Sequence, residues 1–317
     1  NTLDFNIAAY VHPIGRPAAG GSQVGERFDE TQDAVLPADH AAAGFYIPNA
    51  HNTLVGNAAS GGWAGFSFPI FDTALKLSAH IPVVPKKYPT LRFDGNTAHS
   101  SGYYFGDGAC AYHGGRLWED EAGLLQYSNG RIAAGTKGWH NVTNHRAWLC
   151  FAGFSSWGHY VDITDYECHD CLRSAVLFGT SSMQNAIVNA HSDNMPYDMT
   201  ATIGGGRQGF SFYDTWVRTI LNNVTFRNFF VSKADKATNN RYRRNGILVD
   251  LTPSDLYKPW GINALRNFRF SNVDRSIIQR RWIRETGSSR MFNMVDWDGS
   301  LSDQAECKGH IIGSDID

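Results

Sequence analysis

One hexapeptide is written twice in this chain. Ala43-Gly44-Phe45-Tyr46-Ile47-Pro48 returns 21 residues later as Ala64-Gly65-Phe66-Ser67-Phe68-Pro69. The unit is too short for a helix, and it alternates apolar with small or polar residues, which is a strand pattern. One short strand cannot bury an apolar face alone. Laid parallel on its own copy at about 4.8 Å, it shares hydrogen bonds above and below. Such stacking puts Phe45 over Phe66 and Ile47 over Phe68.

Further echoes follow. The Gly-aromatic strand returns as Gly102-Tyr103-Tyr104-Phe105 and as Gly209-Phe210-Ser211-Phe212, with a weaker copy at Gly246-Ile247-Leu248-Val249. Leu54-Val55-Gly56-Asn57 matches Phe93-Asp94-Gly95-Asn96, 39 residues on. Asn223-Val224-Thr225-Phe226 matches Asn267-Phe268-Arg269-Phe270, 44 residues on. A sandwich places turns at intervals without self-similarity, whereas a solenoid repeats itself. The expected fold is therefore all-β: a right-handed parallel β-helix of about ten coils, the longer spacings counting as two 21-residue units. The recurrent Asn suits turns, because Asn tolerates left-handed backbone and stacks its amides. Loops are expected to project at Pro13–Ala42, Ser78–Thr90, His113–His145, His191–Gln208, Ser232–Asn245 and Leu251–Ile262. With no linker in sight, residues 1–317 read as one β-helix domain. A start at Asn1 reads as a piece of a larger extracellular protein.

Composition agrees with a turn-rich β protein: 317 residues, 42% hydrophobic, 18% charged and 32 Gly. No apolar run is long enough to span a bilayer, so membrane insertion is not expected. The net charge of −2 hides a split. Arg207–Arg290 holds 16 Lys/Arg against 6 Asp/Glu, and the remainder holds 12 against 24. Either these are solvated faces, or the basic end meets an acidic polysaccharide or a neighbouring copy of the chain. Lys233, Lys236, Arg241, Arg243 and Arg244 are the expected ligand-binding cations, since they suit sulfate or carboxylate. The slightly acidic whole, without a recognition motif, argues against nucleic acid.

Catalytic chemistry is harder to find. Asp162, Asp165, Asp170, Asp193 and Asp198 lie in a His-containing stretch; a suitably spaced pair could hydrolyse a glycosidic bond, or one Asp with an Arg or Lys could abstract a proton beside a uronate. Asp162 and Asp165 are an odd number apart and should face opposite sides of one strand, which weakens them as a pair. Cys168-His169-Asp170-Cys171 lacks the second pair a zinc site needs, so Cys168 and Cys171 read as a disulfide or as two packed thiols. Asp296-x-Asp298-Gly299-Ser300 lacks the Gly and Glu of a calcium loop and reads as a tight turn. No metal or cofactor is expected. Nine Trp offer faces on which sugars can stack, although most should be core or loop anchors. Two sequons occur, at Asn141 and Asn223. Asn141, in an expected loop, is the better glycosylation site; Asn223 sits at the repeated turn position.

The stretch "GFYIPNAHNTLVGNAASGGWAGFSFP", then "LRFDGNTAHSSGYYFG" and later "MVDWDGSLSD", resembles the β-helix region of fibrocystin and its relatives. That family includes the cell-migration-inducing hyaluronan-binding protein and the related transmembrane hyaluronidase. The resemblance spans roughly residues 38–302 and is densest over Ala43–Gly106. It implies a secreted or cell-surface β-helix. Some members bind or depolymerise hyaluronan, but the residues proposed for cleavage lie mostly upstream of this region and do not carry over. The expectation is a non-catalytic extracellular module, structural or glycan-binding. The alternative is a hyaluronidase-like hydrolase or lyase.

Overall fold

The computed structural model describes residues 1–12, 42–102, 108–123, 125–128, 138–157, 160–194, 207–212, 218–229, 247–251, 263–273, 278–280, 291–301 and 310–314. The chain divides into two compact units, Asn1–Asp162 and Ile163–Asp317. Both are built from parallel strands stacked coil on coil, with no α-helix among the described residues.

Unit 1 has three parallel ladders. One holds β1 (Thr2–Asp4), β4 (Thr53–Val55), β7 (Arg92–Asp94) and β11 (His140–Thr143). The next holds β2 (Ile7–Val11), β5 (Ala58–Gly61), β8 (Thr97–His99) and β12 (Arg146–Trp148). The third holds β3 (Ala43–Tyr46), β6 (Ala64–Phe71), β9 (Ala109–Glu119) and β13 (Ala152–Ser156), with β10 (Leu125–Ser128) antiparallel on β9.

The repeated hexapeptide stacks as its sequence requires. Phe45 pairs with Phe66, their rings 4.9 Å apart and 7° from parallel. Ile47 continues the register, its N–H donating to Ser67 O, and is buried with Phe68. The glycine of the motif is needed for close approach. A Cβ on Gly65 would lie 2.5 Å from Ala98 Cβ and 2.6 Å from Cys110 O.

Unit 2 takes most of β14 (Val161–His169), then β16 (Ser181–Asn189), β18 (Thr219–Phe229), β20 (Asn263–Val273) and β22 (Met291–Asp296) in one ladder. β15 (Arg173–Leu177), β17 (Gln208–Phe212), β19 (Ile247–Leu251) and β21 (Ile278–Arg280) form the other. β23 (His310–Ser314) pairs antiparallel with β22.

The bends come from residues with positive φ. In unit 1 one corner stacks Phe5, Gly56, Gly95 and Asn144, and a second, five residues on, stacks Tyr10, Gly61, Ser100 and Leu149. Unit 2 repeats the spacing: Asp165, Asn185, Asn223 and Asn267 form one corner, and Asp170, Asn228 and Asn272 the next. Each left-handed residue turns the strand and resets its in–out alternation. Thus β18 buries Leu221, Val224, Phe226 and Phe229 rather than every second residue. Asn amides run along these columns. Asn223 Nδ2 donates to Asn185 Oδ1 at 2.8 Å, and Asn272 Nδ2 to Asn228 Oδ1 at 2.8 Å.

Several expectations need correcting. Leu54 pairs directly with Phe93, and Val224 with Phe268. Spacings of 39 and 44 are therefore single coils lengthened by loops, not two 21-residue units. Phe226 and Phe270 lie on neighbouring coils, rings 5.9 Å apart, and only Phe226 is fully buried. Phe210 pairs with Val249 rather than Ile247, a two-residue slip that keeps each side chain on its face. The third partner in the glycine strand is Cys110, not Gly102, since Ala64 pairs with Ala109 and Phe66 with Ala111. The stretch expected to loop from His113 to His145 contains the end of β9, then β10 and β11.

Candidate functional site

Between the ladders of unit 1 lies an aromatic core that also holds three histidines. One enters through a bulge. Phe68 pairs with His113 but Ile70 pairs with Arg116, so β9 carries an extra residue. Gly114 and Gly115 absorb it with φ of 144° and 80°. His140 opens β11, and His145 follows the corner residue Asn144.

His145 ends a buried column. Asn57 N and Nδ2 both donate to Asn96 Oδ1 at 2.9 Å. Asn6 N and Nδ2 likewise donate to Asn57 Oδ1 at 3.0 Å. At the next coil the amide is replaced by imidazole, whose Nδ1 donates to Asn96 O at 2.8 Å. The ring sits among Phe66, Phe93 and Phe154.

His113 and His140 meet edge to face, centroids 4.1 Å apart. Thr90 N–H donates to His140 Nδ1 at 3.2 Å, which places the proton of a neutral ring on Nε2. His113 Nδ1 is buried and has no hydrogen-bond partner among the described residues. Burial pushes His140 and His145 down to about 4. His113 falls well below its ordinary value through burial and the neighbouring His140. All three are therefore neutral at pH 7 and poor proton donors there.

Beside the pair is a cavity of about 10 Å³ lined by Phe68, Phe93, Val142 and Phe154, room for about one water. A second space of about 20 Å³ leads outward past Pro48, Pro85, Lys86 and Tyr88. Neither admits a sugar ring. Among the described residues, no cluster of three or more His, Cys, Asp or Glu is arranged to hold a metal.

Above the pocket the surface is aromatic. Tyr88 is 43% exposed, Trp139 44% and Tyr160 40%. The Trp139 and Tyr160 rings meet edge-on at 5.5 Å, and Tyr88 lies 5.4 Å from His51. These residues precede strand starts on successive coils. His140 N–H donates to Tyr160 O at 2.7 Å, and a Cβ on Gly138 would touch Pro89 at 3.0 Å. The result is an exposed edge of rings rather than a cleft.

The expected catalytic carboxylates do not meet here. Asp165 is an exposed corner residue accepting from Asn185 Nδ2 at 3.1 Å. Its positive φ resets the alternation, so Asp162 and Asp165 both lie on the outer side of β14 rather than on opposite faces. Asp170 is buried and accepts from Ser192 N at 2.7 Å and Ser192 Oγ at 2.6 Å, which ties down the following turn. Asp193 is exposed in that turn. Asp198 lies outside the described residues, as do Lys233, Lys236, Arg241, Arg243 and Arg244.

Cys168 and Cys171 are not joined; both are buried thiols beside Tyr166. Both point inward from a bend made by Asp170 and are packed in the core. Among the described residues the disulfide is Cys110–Cys150, across 40 residues. Asn141 is exposed on β11, in a strand rather than a loop. Of the tryptophans, Trp63 is core, Trp118 carries the Arg116 guanidinium at 5.3 Å, and Trp139 and Trp297 are exposed. Asp298 accepts from Ser300 N, Ser300 Oγ and Asn267 N, a closed turn as expected.

Sequence reasoning missed the three core histidines. Aligning "DGNTAHS" with "TNHRAWL" by corner would have placed His145 in the Asn96 column.

Residues 1–105 match the CEMIP beta-helix family model. The chain is 44% identical over 312 residues to a G8 domain-containing protein of Dictyostelium discoideum, covering 95% of this chain and 22% of the relative. It is 43% identical over 331 residues to communication mutant protein F of the same organism, covering 100% of the chain and 29% of that protein. Protein rliB, also from that organism, is 42% identical over 315 residues, covering 95% and 28%. The chain thus spans under a third of the lengths of these relatives. No solved structure matches it.

Proposed function

We propose that the chain is an extracellular β-helix module that presents its aromatic edge to an acidic polysaccharide without cleaving it. The observation that carries this reading is the exposed ring of Tyr88, at the open end of the aromatic edge of unit 1. Sugars lay their C–H faces on such rings. Lys87, exposed, brings positive charge beside Tyr88, whereas Lys86 is paired with Asp72. Uronate or sulfate groups would meet Lys87 there, and Lys233, Lys236, Arg241, Arg243 and Arg244 are proposed as further cations for such groups. The other partner consistent with the charge split is a neighbouring copy of the chain.

An extracellular setting is supported by the Cys110–Cys150 disulfide, by the two sequons and by the likeness to the CEMIP beta-helix. No helix among the described residues is long and apolar enough to cross a membrane. Kinship with fibrocystin, and residues 1–317 acting as one module, belong to the same reading. Against the hydrolase or lyase alternative stands the use of Asp165 and Asp170 in corner and turn hydrogen bonds.

Calorimetric titration with acidic and neutral polysaccharides tests it, alongside chromatographic sizing of the polysaccharide after incubation. Binding should favour the acidic polymers, weaken as salt shortens the Debye length, and drop several-fold in Tyr88→Ala. Unchanged affinity in that variant, or no binding at all, would sink the edge as the site. A shortened polymer would move the assignment to the depolymerising enzyme.

A further inference from the structure

We propose that Asn141 carries an N-linked oligosaccharide, and that Trp139, beside Tyr160, is the seat on which its first sugar packs. The proposal rests on the extracellular reading above, because only a secreted chain meets the machinery. Three observations lead to it. Asn141-Val142-Thr143 is a sequon. The Asn141 side chain is exposed on the outer face of β11, between buried His140 and buried Val142. Trp139 stands two residues before it, just ahead of β11, and is exposed as Asn141 is, with buried His140 between them.

The contrast with the other sequon is direct. Asn223 is a half-buried corner residue at φ 54°, and its Nδ2 is already donated to Asn185. The amide of Asn141 makes no such bond among the described residues. An exposed Trp edge-on to an exposed Tyr is also an apolar surface of the kind a sugar face packs on. A GlcNAc linked to Asn141 would lay its C–H face over that ring and bury it. The Tyr88 end of the edge stays open to a polysaccharide.

The transfer is a substitution. Asn141 Nδ2 displaces a lipid diphosphate from C1 of a lipid-linked oligosaccharide. The C1–N bond forms as the C1–O bond to phosphate breaks, Nδ2 gives up one proton, and nothing is oxidised. In the folded protein Thr143 Oγ donates to Asp94 Oδ1 at 2.8 Å, a residue one coil back. The sequon hydroxyl is therefore occupied once β11 docks on β7, and transfer must precede that docking.

The test expresses the 317-residue chain behind a secretion leader in eukaryotic cells, so occupancy is read whatever the natural compartment. Intact glycopeptide mass spectrometry should find Asn141 occupied and Asn223 bare. Hydroxyl-radical oxidation then reads the seat. Trp139 should oxidise several-fold more slowly in the glycosylated chain than in Asn141→Gln. That protection should survive trimming to one GlcNAc and vanish when an amidase removes the whole glycan. An unmodified Asn141, or a Trp139 oxidised at one rate in all forms, overturns the proposal. Neither result bears on polysaccharide binding through Tyr88, which is measured separately.

Discussion

Acid should loosen unit 1 well before it protonates the carboxylates. His140 and His145 have folded values of about 4 against an ordinary 6.5. A histidine with a depressed folded value binds its proton more readily in the unfolded chain. Its contribution is thus intact above about pH 6.5 and is lost as pH falls towards 4. A fall from 6.5 to about 4 corresponds to about 3 kcal/mol or a little more for each ring, so the two together approach about 7 kcal/mol at most. His113 adds in the same direction. That is comparable with the roughly 5–15 kcal/mol stability of a whole domain. The His113 and His140 rings face each other, aromatic rings surround His145, and the Lys86 ammonium at the pocket is paired with the Asp72 carboxylate. Asp72 and Asp94 have lowered values, so their contributions are lost only below about pH 3.8, in a separate window. Urea unfolding followed by hydrogen-exchange mass spectrometry, from pH 7.5 to 4.5, reads each unit separately. Unit 1 should lose stability through this range. His145→Asn, which continues the Asn6–Asn57–Asn96 column, should flatten the slope by about 1.4 kcal/mol per pH unit. A unit 1 whose stability holds constant from pH 6.5 to 4.5, or a slope untouched by His145→Asn, would refute the reasoning.

Two further outcomes follow from the packing. Phe226→Ala should cost about 3–5 kcal/mol and Phe270→Ala clearly less, because only the first ring is fully buried; equal losses in denaturant melts would contradict the stacking order. Replacing both Cys110 and Cys150 with Ala opens a 40-residue loop and should lower stability by about 4 kcal/mol on the chain-entropy account, whereas Cys168→Ala with Cys171→Ala should leave the non-reducing peptide map unchanged.

The fold was legible wherever repeats preserved both spacing and face. Phe45 over Phe66, Leu54 over Phe93 and Val224 over Phe268 all follow from aligning the sequence with itself. Coil length was not legible. A ladder constrains only the stacked residues, while the loop between them can lengthen at small entropic cost, so 21, 39 and 44 residues each close one turn. Register failed where the pattern was weak, since a slip of two residues leaves alternation intact and Gly209 could be set against Gly246 instead of Leu248.

The candidate site was less legible because strict alternation was assumed through the corners. A left-handed residue inverts the phase, and that inversion carries Tyr166 and Cys168 inward while leaving Asp165 outside. The same inversion brings Asn57, Asn96 and His145 into the interior of unit 1, directly after Gly56, Gly95 and Asn144. In unit 2 the residue after the corner is apolar: Tyr166, Ala186, Val224 or Phe268. One backbone device thus supports two kinds of core. The amide column fixes register by buried hydrogen bonds, whereas the apolar column is aligned by packing with the Asn amides of the corner beside it. Where the amide column gives way to His145, an amide that cannot ionise is replaced by a ring that can, so part of the acid sensitivity expected of unit 1 arises from how its coils are aligned.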